Sequence, residues 1–193
     1  MSYTLKDVFY LGAQHEYPAA TYGSAGVEGN IPIDVSAYVD PIAKGRQRGQ
    51  GLAVYKVHCQ VSADEMGLKQ IATDEGAATF GLTVKPYNTS GDNSQALTGD
   101  DLSPSSDLAM YLANYTAPAN IVPGQGSGLA PEVTLKPSKE VPYVVVRDTI
   151  FQIFETSVGM SSSDSFFVSY RLECAMISLD TATLNQLLRT QTA

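Results

Sequence analysis

The sequence is short of the residues from which most enzyme sites are built. Its 193 residues include two histidines and two cysteines, and tryptophan is absent. A metal site needs several histidine, cysteine or carboxylate ligands that converge, and no pair of these residues has metal-ligand spacing. Phosphate loops, dinucleotide fingerprints and serine nucleophile elbows are also missing. The sequence therefore predicts a protein that is not an enzyme and that binds no cofactor and no metal.

Positive charge and long apolar runs are scarce as well. Lysine and arginine number 12 against 20 acidic residues, which gives a net charge of −8. This balance argues against a nucleic-acid footprint across the surface and against docking on anionic lipid. No apolar run reaches the roughly 18 residues of a membrane-spanning helix. The first residues lack the basic head and apolar segment of a secretory signal, so we expect synthesis in a cytoplasm without secretion.

The two cysteines are too few for a disulfide framework. Cys59 and Cys174 both fall on the apolar side of an alternating pattern, which predicts two buried, reduced thiols. A disulfide between them is the alternative, if their strands are neighbours. His58 points to the opposite face of the strand from Cys59, so the two cannot form a nucleophile pair.

What the sequence has in quantity is alternation of apolar and polar residues. The longest example runs from Asp164 to Leu179, and since a strand sends alternate side chains to opposite faces, one set can enter a core while the other stays wet. The same period occurs in Ile31–Ile42, Leu52–Ser62 and Ala78–Val84. The pattern predicts one all-β domain of two packed sheets. The residues predicted to be buried are Tyr55, Val57, Phe80, Leu82, Val168, Tyr170, Leu172 and Met176.

Helix is predicted in few places. Asp180 can cap a terminal helix over Thr181–Arg189, and Asp64 can cap a short one that reaches Ile71. Residues 107–115 fit a helix and a strand equally well, and both interpretations stay open. Val133–Lys136 is predicted as a short strand and Val141–Glu155 as one long strand.

The chain divides into an N-terminal arm, residues 1–30, and a domain, residues 31–193. Between Gly12 and Asn30 the arm is rich in glycine, alanine, tyrosine and serine without any period. It is either a floppy leader or a segment that becomes ordered when its tyrosines lie on a neighbouring subunit.

Several residues are candidates for contact between subunits. The run Val141–Val146 is apolar on both faces, and in a water-soluble chain the second cover can be another subunit. Tyrosines in the arm and between the two long polar segments offer further contact area. The candidates are Tyr17, Tyr22, Tyr111, Tyr115, Val144 and Val146.

The order of these segments resembles a known family. Leu52–Ser62, Ala78–Val84, Val141–Glu155 and Phe166–Leu179, with long middle loops and a closing helix, are laid out as in the single jelly-roll major capsid proteins of tailless, membrane-containing double-stranded DNA viruses. The resemblance implies a single jelly-roll β-sandwich with an extended N-terminal arm and a short C-terminal helix.

The same resemblance implies a function. It is that of a structural virion protein, a coat subunit made in the host cytoplasm that forms capsomers of an icosahedral shell. Its partners would be copies of itself, in a homo-oligomer, and a second capsid protein, without specific nucleic acid. The alternative is a non-enzymatic β-sandwich binding module, such as a fibre or adhesin head that recognises carbohydrate or protein.

Overall fold

The computed structural model describes residues 6–17, 28–40, 48–62, 66, 72–73, 76–86, 103–117, 127–128, 130–156 and 166–192. The strands are β1 (Lys6–Tyr17), β2 (Glu28–Asp34), β3 (Arg48–Ser62), β4 (Ala72–Thr73), β5 (Gly76–Thr83), β6 (Ala109–Ala117), β7 (Ser127–Gly128), β8 (Ala130–Leu135), β9 (Tyr143–Val145), β10 (Thr149–Thr156) and β11 (Phe166–Asp180). A 3-10 turn covers Ser36–Tyr38, and one helix, α1, covers Thr181–Thr192.

Two antiparallel sheets form the body of the molecule. The β1 sheet has the order β1-β11-β3-β9, and the β2 sheet has the order β2-β10-β5-β6-β8. A separate two-stranded ribbon joins β4 to β7. The first strand pairs with the last, and the second with the next to last. This nesting is that of a jelly roll, and it confirms the predicted all-β class.

The core lies between the two sheets. Most of the side chains predicted to be buried are enclosed there, namely Phe80, Leu82, Val168, Tyr170 and Leu172. Tyr55, Val57 and Met176 are only half-buried. The two cysteines are free, with Cys174 buried and Cys59 partly exposed, so the disulfide alternative is not realised.

A β-bulge in β3 explains why Tyr55 is outside the core. Lys56 pairs with Glu173, but the next pair joins Val54 to Cys174, so Tyr55 is an extra residue in the ladder. A bulge shifts the alternation by one residue. Val57 therefore faces the core from one side of the bulge and Val54 from the other. The prediction of one unbroken alternation through Leu52–Ser62 is wrong at this point.

The predicted long strand Val141–Glu155 is two strands in different sheets. Tyr143–Val145 forms β9 at the edge of the β1 sheet, and Thr149–Thr156 forms β10 inside the β2 sheet. Val146 and Asp148 lie in the crossing between them. A run that passes from one sheet to the other needs apolar residues on both faces. Its first half turns one set of alternate side chains to the core, and its second half turns the other set there.

Helix α1 covers the outer face of the β1 sheet beside β9. It begins as predicted, since the Thr183 amide donates to Asp180 Oδ1 over 2.8 Å. Leu184 packs there against Val144, Val146 and Ile177. A Cβ atom on Gly49 would lie 2.5 Å from Leu184 Cδ2, so the glycine lets the helix approach the sheet.

The N-terminal region differs from its prediction. Lys6–Tyr17 is strand β1, paired with β11 of its own chain, and β2 already begins at Glu28. The arm predicted for residues 1–30 is therefore corrected over both segments, because Phe9, Leu11 and Tyr17 pack against the core and both strands extend the sheets. The first predicted strand ends early, at Asp34. Residues 109–117 are strand, and the helix predicted between Asp64 and Ile71 lies, apart from Met66, outside the described residues.

Candidate functional site

An open groove of about 790 Å³ lies on the outer face of the β1 sheet. One side consists of strands β1, β3 and β11, and the other is the segment 136–142 that leads into β9. Its apolar lining includes Val8, Ala53, Tyr55, Pro137, Pro142 and Ile177. Three lysines and two glutamates also line it: Lys56, Lys136, Lys139, Glu140 and Glu173. The groove combines an apolar surface with charged groups.

The wall of the groove is held by a local turn. The Ser138 amide donates to the Val141 carbonyl oxygen over 3.1 Å, and the Val141 amide donates to Ser138 Oγ over the same distance. These two bonds leave the Val141 side chain 74% exposed. A large apolar side chain in that position is available for contact with another molecule.

The bulge in β3 places Tyr55 in the groove. Its hydroxyl donates to the Cys174 carbonyl oxygen over 3.3 Å, so the ring leans across β11 towards β1. Partial burial of the ring raises the pKa of the Tyr55 hydroxyl above the ordinary tyrosine value of about 10, so the group is neutral at neutral pH. The ring is therefore a fixed, neutral part of the groove.

A charged cluster borders the groove where β3 and β11 are paired. His58 Nε2 lies 2.9 Å from Glu173 Oε1, and Lys56 Nζ lies 3.8 Å from the same oxygen. The hydrogen bond from His58, with the nearby Lys56 charge, lowers the pKa of Glu173. Glu173 is thus ionised at neutral pH and shared by two basic neighbours.

Strand β1 adds two exposed side chains beside the groove. Val8 is 58% exposed and Tyr10 is 54% exposed. The Arg171 guanidinium lies 4.3 Å from the centre of the Tyr10 ring, which is cation–π geometry. Together with Val141, they give this face of the sheet an uncovered apolar surface.

The tyrosines predicted to contact a neighbour lie inside the sandwich instead. Tyr17 is 2% exposed, accepts a 2.8 Å hydrogen bond from Gln152 Nε2 and packs edge-on against Phe154. Tyr111 and Tyr115 are also buried, in the core around Cys59. Their rings fill their own domain, so they have little surface to present to another subunit.

The two valines on the candidate list are covered by their own chain. Val144 and Val146 lie under α1, which supplies the cover that was expected from another subunit. Gln191 of α1 also bonds their backbone: its Nε2 donates to the Val144 carbonyl over 2.6 Å, and its Oε1 accepts from the Val146 amide over 3.1 Å. The remaining candidate, Tyr22, lies outside the described residues.

The two thiols have the character of core residues. Burial raises the pKa of Cys59 to about 11 and that of Cys174 to about 12. Since the thiolate is the nucleophilic form of cysteine, both are protonated and weakly reactive at neutral pH. Within the described ranges, no three His, Cys, Asp or Glu residues converge as metal ligands do.

Sequence patterns did not reveal the groove. Its parts come from β1, β3, β11 and the 136–142 segment, which are distant in sequence and meet only in the folded sheet. One signal was present: Val8, Phe9, Tyr10 and Leu11 are consecutive and apolar on both parities. A strand apolar on both faces leaves one apolar face outside the core.

Comparisons with known proteins find similarity in solved structures. No protein-family model matches the chain, and no curated protein matches it. Among solved structures, VP1 of Merkel cell polyomavirus in complex with disialyllactose has 8% identity and a TM-score of 0.46, covering 93% of this chain and 99% of that one. The same VP1 with GD1a oligosaccharide has 7% identity and a TM-score of 0.42, with the same coverage. Both are viral capsid proteins. In the described part of the chain, no helix is long and apolar enough to cross a membrane.

Proposed function

We propose that this chain is a structural coat subunit of a virus particle, which assembles with copies of itself. The observation that carries the proposal is the uncovered apolar surface on a jelly-roll sandwich, formed by the groove together with Val8, Tyr10 and Val141. Apolar surface of this kind on a folded domain marks a contact with another molecule. The jelly roll is a fold used for shells as well as for lectins.

Charge supports a neighbouring copy as the occupant of the groove. The chain has a net charge of −8, whereas the groove is lined by three lysines and two glutamates, a local balance of +1. A slightly positive groove on an acidic protein attracts the acidic surface of another copy, and this favours docking in one orientation. The contact is heterologous, because a groove meets a different surface.

The finer assignment follows the family resemblance of the sequence. The subunit would form capsomers of the icosahedral shell of a tailless, membrane-containing double-stranded DNA virus, together with a second capsid protein. It would be made in the host cytoplasm and end in the virion. Neither a cofactor nor specific nucleic acid enters this function.

Assembly can be tested by reversing the charge of the groove. Lys136→Glu with Lys139→Glu is expected to reduce the yield of large particles in negative-stain microscopy and size-exclusion chromatography. Asn185→Glu with Gln186→Glu also adds negative charge, but on the exposed face of α1, and should leave assembly unchanged. A wild-type chain that stays monomeric at high concentration and never enters particles would contradict the coat function.

A binding module is the second candidate, and the same groove favours it. Tyr55 offers an aromatic ring, and Lys56, Glu140 and Glu173 offer hydrogen-bonding groups around it, which is the composition of a small-ligand site. A glycan array with Tyr55→Ala as the control separates the candidates. Glycan binding that is lost in the variant, by a monomer, supports the module.

A further inference from the structure

The edges of the two sheets are protected to different degrees. A strand at the edge of a sheet has unpaired backbone groups that can pair with another chain, and proteins block such edges with proline, bulges or a covering element. At β9 the cover is Gln191, which bonds the backbone of Val144 and Val146. This edge is closed by the chain itself.

Proline protects both edges of the β2 sheet. The Val35 amide donates to the Asp148 carbonyl over 2.8 Å, so the backbone nitrogen of Val35 points towards β10. The backbone groups of successive residues point to opposite edges of a strand, so the nitrogen of Pro32 in β2 points to the free edge. Proline has no N–H, so this position cannot donate to another strand. Strand β8 contains Pro131 and a register shift at Thr134. Both edges are poor templates for a further strand.

The register shift of β1 lies at its start, between Lys6 and Val8, and the rest of this edge has none of these devices. From Val8 to Tyr17 the register with β11 is unbroken, no proline occurs, and none of the described strands lies beyond it. At 12 residues, β1 is longer than the strands at the other three edges. Its free edge is therefore the long, regular template in the described part of the molecule.

The backbone groups on that edge can be assigned. Gln191 bonds Val144 and Val146, so Val145 between them faces β3. In an antiparallel sheet the N–H and C=O groups of successive residues point to opposite sides of the strand. The side on which each residue makes its hydrogen bonds can therefore be followed through the registers of β3, β11 and β1. Phe9, Leu11 and Ala13 then face β11, whereas Tyr10 and Gly12 turn their N–H and C=O groups to the free edge.

Gly12 supports a role for the free edge of β1 in contact with another backbone. A Cβ atom on Gly49, Gly51 or Gly81 would lie within 2.9 Å of a neighbouring atom, so the packing of this chain requires those glycines. A Cβ atom on Gly12 would meet only the Tyr170 carbonyl oxygen, at 3.9 Å. Glycine weakens a strand and often marks a site where another backbone or a ligand approaches closely; within the described residues no other backbone lies on that edge.

We propose that two copies of this chain pair through their β1 strands, antiparallel, around a two-fold axis at Leu11. Tyr10 of each copy then lies opposite Gly12 of the other, where a ring can cover a glycine. Phe9 lies opposite Ala13, and the two Leu11 residues meet at the axis. The half-buried Phe9 and Leu11 side chains become enclosed.

The pairing also extends the sheet across the two copies. Two four-stranded sheets become one continuous sheet of two copies. This inference rests on the proposed function and deepens it, since it supplies the isologous contact that a shell needs in addition to the heterologous groove.

Cysteine cross-linking tests the register. At Leu11 the two strands form a pair with Cα atoms about 4.5 Å apart, within the range of a disulfide. Leu11→Cys should therefore give a covalent dimer on mild oxidation. Ala13→Cys is the matched control, because its two copies would be about 13 Å apart along the strands. Cross-linking of Ala13→Cys in place of Leu11→Cys would overturn the proposal.

Mass measurement tests the contact itself. At protein concentrations below those at which particles form, the wild-type chain should have twice the 20.6 kDa mass of the monomer in light scattering. Gly12→Pro removes an N–H from the free edge only, and Tyr10→Asp leaves the backbone unchanged; both should be monomeric with unaltered circular dichroism. A monomeric wild type, or variants that remain dimeric, would refute the pairing. If these variants formed particles as well as the wild type does, the β1 pairing would be refuted and the coat function would stand. If the wild type formed dimers but never particles, only the coat function would be refuted.

Discussion

The two edges of the β1 sheet have opposite designs. At β9 the helix α1 lies over the sheet, and the buried Gln191 occupies the backbone groups that a further strand would use. At β1 there are ten regular residues, two exposed apolar side chains and a glycine that the chain's own packing does not require. The difference teaches that, among the residues the structure describes, the chain completes this sheet at one edge only.

Detaching α1 would make the two edges alike. Leu184 lies on the buried face of α1 and is 6% exposed, so Leu184→Asp would place an unpaired charge among apolar groups. We expect a loss of about 4 kcal/mol in the free energy of unfolding, together with aggregation through β9, measured by urea denaturation and light scattering. Asn185→Asp, one residue along on the exposed face of the helix, is the control. Equal stability of the two variants would show that α1 does not protect this edge.

Removing only the Gln191 side chain from the β9 edge has a smaller effect. Gln191→Ala leaves the buried Val144 carbonyl and Val146 amide without their partner, which should cost about 3 kcal/mol in thermal or urea unfolding. The control is Gln186→Ala, because that side chain is exposed on the same helix. A loss no greater than that of the control would mean that water replaces the cap, and the contrast with β1 would weaken.

A glycine on each side of the sheet sharpens the comparison. Gly49→Ala brings a Cβ atom against Leu184 Cδ2 and should cost about 1–2 kcal/mol through overpacking. Gly12→Ala meets no close atom, so the dilute monomer should gain about 0.5 kcal/mol or stay unchanged. Both values come from urea denaturation at low protein concentration. A clear loss for Gly12→Ala would indicate an intrachain role for this glycine.

The smallest effect concerns the ion pair beside β1. Because His58 and Lys56 lower the pKa of Glu173, the carboxylate stabilises the fold above the pKa of the unfolded chain, about 4.3. This contribution is lost as the pH falls through the lower folded value. In Glu173→Gln the melting temperature should depend slightly less on pH below 4.3 than in wild type. Identical pH profiles would exclude the pair as a source of stability.

The sequence predicted elements whose alternation is regular. Strand β11, with its core-facing Val168, Tyr170 and Leu172, and the Asp180 cap of α1 were evident because each depends on neighbouring residues. The jelly roll was anticipated from the layout of such strands. These features need no knowledge of the rest of the chain.

What the sequence could not reveal depends on distant partners. The bulge at Tyr55 is hidden, because Leu52 to Tyr55 is apolar at every position and fits either parity. The run through Val144 and Val146 showed that cover was needed, but a helix some 40 residues later supplies it. The groove and the open edge of β1 could not be predicted either, since both require the order of strands within a sheet.

The pairing of β1 with β11 has a consequence for synthesis of the protein. About 150 residues separate the two strands, so the ribosome, which adds roughly 5–20 residues each second, takes about 8–30 s to deliver the partner. During that interval β1 has two unpaired sides, and its apolar residues are exposed to other nascent chains. Such distant contacts also make folding slow. The strand that we assign to joining two finished subunits is thus the strand that waits longest for its own sheet.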